Sequence, residues 1–176
     1  GDRSPAAVAV RHAIYESPYS SLGYDYQPLA LVKLPSLADG DVVMETVEVS
    51  EGTIIVNANE QVGPLVRDME VINAGGERVI FAGEPIAMTQ LSVDFTFQPL
   101  VWSDGTPVTA EDSVLSFRVA GDRATPVLDN QVRYTADYQA VGERSVRWTG
   151  LPGYIDPAFM THVWTPLPSH QLAGYS

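Results

Sequence analysis

The chain has 176 residues, 45% of them apolar, and its 22 acidic and 10 basic side chains give a formal charge of −12. A chain of this size buries a core without covalent staples, its charge repels nucleic-acid phosphates and anionic lipid, and the absence of cysteine excludes disulfides and thiolate metal sites. No run approaches the ~18 apolar residues of a membrane span, so none is expected.

Other global features narrow the reading. Lys33 is the single lysine, so no basic cluster offsets the acidity and no nucleic-acid partner is expected. No basic stretch followed by an apolar run marks a signal peptide. Gly1 reads as a cut site and the chain as part of something longer. Pro and Gly are spread throughout, which favours short strands and turns. Neither a fixed-period repeat nor an internal domain boundary is visible, so residues 1–176 read as one domain.

In chain order, "PAAVAVRHAIY" (5–15) predicts a short helix with Ala6, Val10, Ala13 and Ile14 on one face. "SPYSSLGYDYQPLA" (17–30) is a tyrosine-bearing connection, and Asp39-Gly40 has turn chemistry. "VVMETVEVSEGTIIVNA" predicts two strands paired across Glu51-Gly52. "MEVINAGGERVIFAG" repeats that arrangement about Gly75-Gly76. In "LSVDFTFQ", Leu91, Val93, Phe95 and Phe97 alternate with polar residues, the pattern of a strand with one buried side.

Ser103-Asp104-Gly105-Thr106-Pro107 has turn chemistry at each position. Thr109 is placed to cap a helix, with Asp112 at the third position of a capping box and Glu111 beside it in the first turn. That helix is predicted over about 110–119, with Val114, Leu115 and Phe117 inward, ending near Gly121. Two strands, "DYQAVG" and "RSVRWTG", follow with a turn at Gly142-Glu143. A short helix after Asp156-Pro157 through about Trp164 is expected, then an extended "TPLPSHQL". The fold class is α+β, mainly antiparallel β with two or three short helices.

Chemical motifs are sparse. His162, His170 and Asp156 would have to converge to form a zinc site; the competing reading is surface or hydrogen-bonded histidines, and no metal is expected. No nucleophile elbow or phosphate-cradling loop occurs. The abundance of carboxylates makes any one pair uninformative. Tyr15, Tyr19, Tyr24 and Tyr26 crowd one connection, where they either wall a ligand or cover a sheet edge.

"FTFQPLVWSDGTPVTAEDSVLSF" resembles the most recognisable segment of the family 5 extracellular solute-binding proteins, the substrate-capturing components of ABC importers for peptides, nickel chelates and some sugars. Phe95, Phe97, Trp102, Ser103, Asp104, Gly105, Thr109, Ala110, Asp112 and Phe117 stand at matching places. "AIYESPYSSLGYDYQPLALVKLPSL", "YQAVGERSVRWTGLPGYIDP" and "PLPSHQL" are similar to other family segments in the same order. The chain departs at Ser113, where the family carries an aliphatic residue, at Pro99-Leu100, and in "LPSLADGD".

The resemblance implies part of the first lobe of a type II periplasmic-binding-protein-like receptor. Such a segment has no catalytic role and no cofactor. Its ligand would be a peptide or similar oligomeric solute, its partner an ABC permease reached through the longer parent, and its location outside the cytoplasmic membrane, with or without a lipid anchor. Candidate ligand contacts are Tyr19, Tyr24 and Tyr26. Two rivals are an extracellular carbohydrate-binding or adhesion module that stacks sugars on exposed Tyr and Trp, and an acid-base hydrolase with two converging carboxylates.

Overall fold

The computed structural model describes residues 17–20, 25–125 and 130–172. The helix expected over residues 5–15, with Tyr15, and the candidate contact Tyr24 lie outside the described residues.

The centre is a four-stranded antiparallel sheet. Its strands are β3 (Val42–Val49), β8 (Ile86–Thr96), β10 (Ser145–Gly150) and β9 (Thr135–Ala140), in that spatial order. Three two-stranded ladders surround it: β1 (Tyr19–Ser20) with β2 (Gln27–Pro28), β4 (Ile54–Val56) with β5 (Val62–Pro64), and β6 (Glu70–Ile72) with β7 (Arg78–Ile80). Helix α1 (Ala110–Gly121) packs on β9 and β10, and α2 (Asn130–Arg133) is a single turn. The α+β expectation holds.

Strand β8 organises two cores because its apolar residues change phase. Leu91, Val93, Phe95 and the following Phe97 are buried against α1 in a core with Tyr138, Val146, Trp148 and Trp164. Met88 and the half-buried Ile86 alternate on the opposite face and enter a second core with Val49, Ile55, Leu65, Val71 and Phe81. One strand thus buries its two faces at its two ends, since successive side chains point to opposite sides.

The expected pairing of "VVMETVEV" with "TIIV" across Glu51-Gly52 is not found. The turn exists, with Gly52 at φ +88, but β3 pairs along its whole length with β8, Val42 opposite Val93 and Val49 opposite Ile86. The eight-residue β3 finds a partner along its whole length in the eleven-residue β8, while the three-residue β4 pairs with β5.

The two small hairpins repeat one unit sixteen residues apart, although the sequence showed no fixed period. Val56 faces Val62 and Ile72 faces Arg78 across five-residue loops, 57–61 and 73–77, which both begin Asn-Ala. Asn57 Oδ1 accepts the N–H groups of Asn59 and Gln61, and Asn73 Oδ1 those of Gly75 and Glu77. Leu65 N–H donates to Thr53 and Phe81 N–H to Met69, at 2.8 Å each. Ala58 N–H donates to Glu70 at 3.0 Å and Ala74 N–H to Ala87 at 2.8 Å, so each loop is tied to the start of the next strand. Buried Ile55 and Leu65 in the first unit correspond to buried Val71 and Phe81 in the second.

The remaining local expectations are met in part. α1 covers the predicted span and has its capping box, with Val114 and Leu115 buried and Phe117 half-buried. Gly105 sits at φ +86, as the turn requires. The helix expected through Trp164 shrinks to a 3₁₀ turn at Phe159–Thr161. Beyond it the chain is held from the side: Ser113 and Ser116 hydroxyls donate to the carbonyls of Trp164 and Thr165.

Candidate functional site

The junction between β8 and α1 forms a polar clasp on the C-terminal segment. Asp112 is 2% exposed and accepts three N–H donors: Thr109 backbone at 2.9 Å, Trp102 Nε1 at 3.1 Å and Ser169 backbone at 2.9 Å. Burial pushes its carboxyl up, and the donors from Ser169, Thr109 and Trp102 more than reverse that, leaving it below the ordinary carboxylate range. Exposed Asp104 closes its own turn by accepting Thr106 N–H at 2.9 Å and also holds His170 Nε2 at 2.8 Å and Gln171 Nε2 at 3.1 Å. The Thr106 N–H, then the contact with His170, keep the Asp104 carboxyl well below its usual range. A depression of about 360 Å³ beside the clasp is lined by Leu100, Val101, Trp102, Pro166, Pro168 and Gln171 among others.

Ser113, the departure from the resembled family, is fully buried. Its hydroxyl lies 2.7 Å from the Tyr138 hydroxyl and 2.6 Å from the Trp164 carbonyl oxygen. An aliphatic residue there would remove the Ser113 bonds to both, leaving the Tyr138 hydroxyl its contact with the Trp164 N–H at 3.3 Å. Burial raises the Tyr138 phenol far above its ordinary value.

A larger groove, about 760 Å³, lies where the second core meets the sheet. The twin loops form one wall, through Asn57, Ala58, Glu60 and residues 72–76. Tyr134, Gly153, Tyr154 and Ile155 form another, and Met44 and Thr89 also line it. Gly153 has φ +85, and a Cβ there would stand 2.4 Å from the Val56 carbonyl oxygen. Its N–H donates to Thr89, and Val56 N–H donates to Pro152, so backbone bonds fix this wall to the sheet. Tyr134 and Tyr154 stack at 4.4 Å. The Tyr154 hydroxyl donates to Asp156, which also contacts buried His162 Nε2 at 2.9 Å. Burial, then Asp156 and more distantly Glu60, raise the Tyr154 phenol.

The expected ligand contacts are only partly brought together. Tyr19 and Tyr26 meet edge to face at 5.4 Å across the β1–β2 ladder. Tyr19 is half-buried against the main core and Tyr26 is 38% exposed. Neither lines the two depressions. The histidines follow the hydrogen-bonded reading: His162 pairs with Asp156 and His170 with Asp104, and no metal-ligating cluster occurs among the described residues. The aromatic stacking platform is not formed by the tryptophans, because Trp148 and Trp164 are buried and Trp102 is half-buried over the clasp. The groove was missed in the sequence; Asn-Ala recurring at 57 and 73 was the available signal.

No family model matches the sequence. A 58-residue stretch, 32% of this chain, is 36% identical to a protein of Brucella melitensis biotype 1 provisionally named a binding protein. A 58-residue stretch is 33% identical to the peptidoglycan-binding protein YepA of Agrobacterium fabrum. The match spans 9% of the length of each of these relatives. Among solved structures, the oligopeptide-binding protein from Thermus thermophilus, complexed with a pentapeptide, superposes with a TM-score of 0.62 at 16% identity, over 98% of this chain and 23% of that one. The described residues contain no helix long and apolar enough to cross a membrane. The chain therefore has the fold of a segment of an oligopeptide-binding protein.

Proposed function

We propose that residues 1–176 are one partial lobe of a solute-binding protein that captures peptides outside the cytoplasmic membrane for an ABC importer, acting by binding and not by catalysis. The observation that carries this reading is the likeness of 98% of the chain to under a quarter of a receptor solved with a pentapeptide. Such a receptor closes two lobes on its ligand, and both depressions here are open to solvent, in keeping with half of a cleft. Tyr26 is the proposed ligand contact of this segment, with Tyr19 buttressing its ring and Tyr24 adjoining in sequence.

The test is affinity capture by the longer parent protein from a mixed pentapeptide pool, read by mass spectrometry. Retention of a peptide subset, weakened by Tyr26→Ala, is expected. Retention of no peptide at all would refute the reading. The likeness to a peptidoglycan-binding protein favours a second arm with muropeptides, whose selective capture would assign a wall-derived peptide.

A further inference from the structure

We propose that the groove between the twin hairpin loops and the Tyr134–Tyr154 wall is a binding site for an organic cation on an aliphatic stem, with Glu60 as its counter-charge.

The internal repeat supplies the main argument. Glu60 and Gly76 occupy the same position of equivalent five-residue loops, and both N–H groups donate back to the loop asparagine, at 3.0 and 2.9 Å. That position is left-handed in both units, φ +60 at Glu60 and φ +79 at Gly76. Glycine adopts it without strain and a glutamate does not. Folding alone would therefore place glycine or asparagine at 60, as it does at 76. A second left-handed non-glycine residue, Asp68 at φ +66, corresponds to Gly52, but aspartate tolerates this region better than glutamate. Unneeded strain at one copy of a duplicated loop, beside a groove, points to selection for the side chain.

The surroundings define the ligand. Glu60 is the one charged residue lining the groove, and among the described residues no ion pair engages it. Asp156 stands behind Tyr154 and adds negative potential. Of the nearby cations, Arg78 is occupied by Glu70, Asn59 and the Ala58 carbonyl. Arg133 lies 5.8 Å from the Tyr134 ring centre and lines no part of the groove. Met44 and Ile155 offer exposed apolar surface to a stem, at 53% and 46%. An ammonium or guanidinium on a short hydrocarbon chain satisfies both ends, and the overall charge of −12 steers it inward.

The site is tested on the 176-residue chain by calorimetric titration with N-acetyl-Gly-Arg-Gly amide, its uncharged N-acetyl-Gly-citrulline-Gly amide counterpart, and spermidine. At least one cation should bind, with the citrulline peptide roughly tenfold weaker, the loss expected for one charged hydrogen bond. Glu60→Gln should weaken the cation by a similar factor without moving the melting temperature. Glu60→Gly should abolish the same affinity while raising the melting temperature. Preference for the arginine peptide assigns a peptide-borne cation, and preference for spermidine a free polyamine. Equal binding to wild type and Glu60→Gln would mean general attraction to an acidic surface and overturn the assignment, as would equal binding of the citrulline peptide or no binding of either cation. Peptide capture by the longer parent does not enter this experiment, so the two readings fail separately.

Discussion

Replacing Asp112 by asparagine tests whether the clasp is a charge-assisted network or a helix-dipole effect. Oδ2 accepts two donors, Thr109 N–H and Trp102 Nε1–H, and Oδ1 accepts Ser169 N–H. Asparagine keeps the shape but offers one oxygen. With that oxygen at the Oδ2 place, two bonds survive as neutral ones and the amide NH₂ confronts Ser169 N–H. A buried donor left unsatisfied costs about 1–3 kcal/mol, and each surviving bond loses up to about 1.5 kcal/mol in passing from charged to neutral. Relief from burying a charge offsets part of this. The expected loss is about 2–3 kcal/mol, or roughly 5–10 °C in melting temperature for a chain this long. Glu111→Gln removes the same charge from the same helical turn on an exposed side chain and should cost at most about 0.5 kcal/mol. The assay is urea unfolding of both variants, with hydrogen exchange at the Ser169 amide as a local readout. Equal losses in the two variants, or an unchanged Ser169 exchange rate in Asp112→Asn, would refute the network.

Gly153→Ala forces a Cβ against the Val56 carbonyl at positive φ, so a loss of about 2–5 kcal/mol is expected in urea unfolding, and less than about 1 kcal/mol would contradict the close packing. At Gly105 an added Cβ meets no atom within 4 Å, but the valine of Gly105→Val must adopt φ +86; about 1–2 kcal/mol should be lost by the same assay through backbone strain. Glu60→Gly relieves a similar strain and gives back part of it as unfolded-chain entropy, for a net gain of roughly 0.5–1 kcal/mol in melting experiments. Asp104 and Asp112 both titrate below their ordinary values in the folded chain. Their contribution is therefore complete above the unfolded carboxylate range, near pH 4, and is lost as the pH falls below it. Unfolding midpoints at pH 7, 5 and 3 should drop mainly between the last two, less steeply in Asp112→Asn.

What the sequence made legible was local. The period-two run from Leu91 to Phe97, the turn glycines at 76 and 105, the Thr109–Asp112 cap and the hairpin at Gly142-Glu143 each depend on residues a few positions apart. What it did not show depends on distant partners. Alternation marks β3 as a strand but does not say that its mate lies some forty residues on, beyond two hairpins. The stretch after Asp156-Pro157 looked helical through Trp164 because nothing nearby reveals that serines on α1 hold the chain at the Trp164 and Thr165 carbonyls. The sixteen-residue repeat escaped notice because its units share identity at little more than Asn-Ala. The equivalence lies in hydrogen bonds and burial, with Leu65 standing for Phe81 and Ile55 for Val71. Of the crowded tyrosines, Tyr19 and Tyr26 meet edge to face, and any use of them as a ligand surface depends on geometry beyond this loop.

The phase change in β8 explains how a duplicated unit comes to border the groove. Between Met88 and Leu91 the buried positions shift by three instead of two, so the strand leaves one core and enters the other without a break. Thr89 lies on the Leu91 side by alternation, and Met44 is directly opposite Leu91 in the ladder. Both therefore continue the face that carries the main core, at the end where α1 no longer covers it. The twin loops rise beside that uncovered end because Ala74 N–H is tied to Ala87, two residues before Thr89. A groove at this place is thus a consequence of the strand's two-sided burial. A regular one-sided strand would have put Met88 toward solvent and left the duplicated hairpins no apolar face to pack on, removing the second core and the groove wall together.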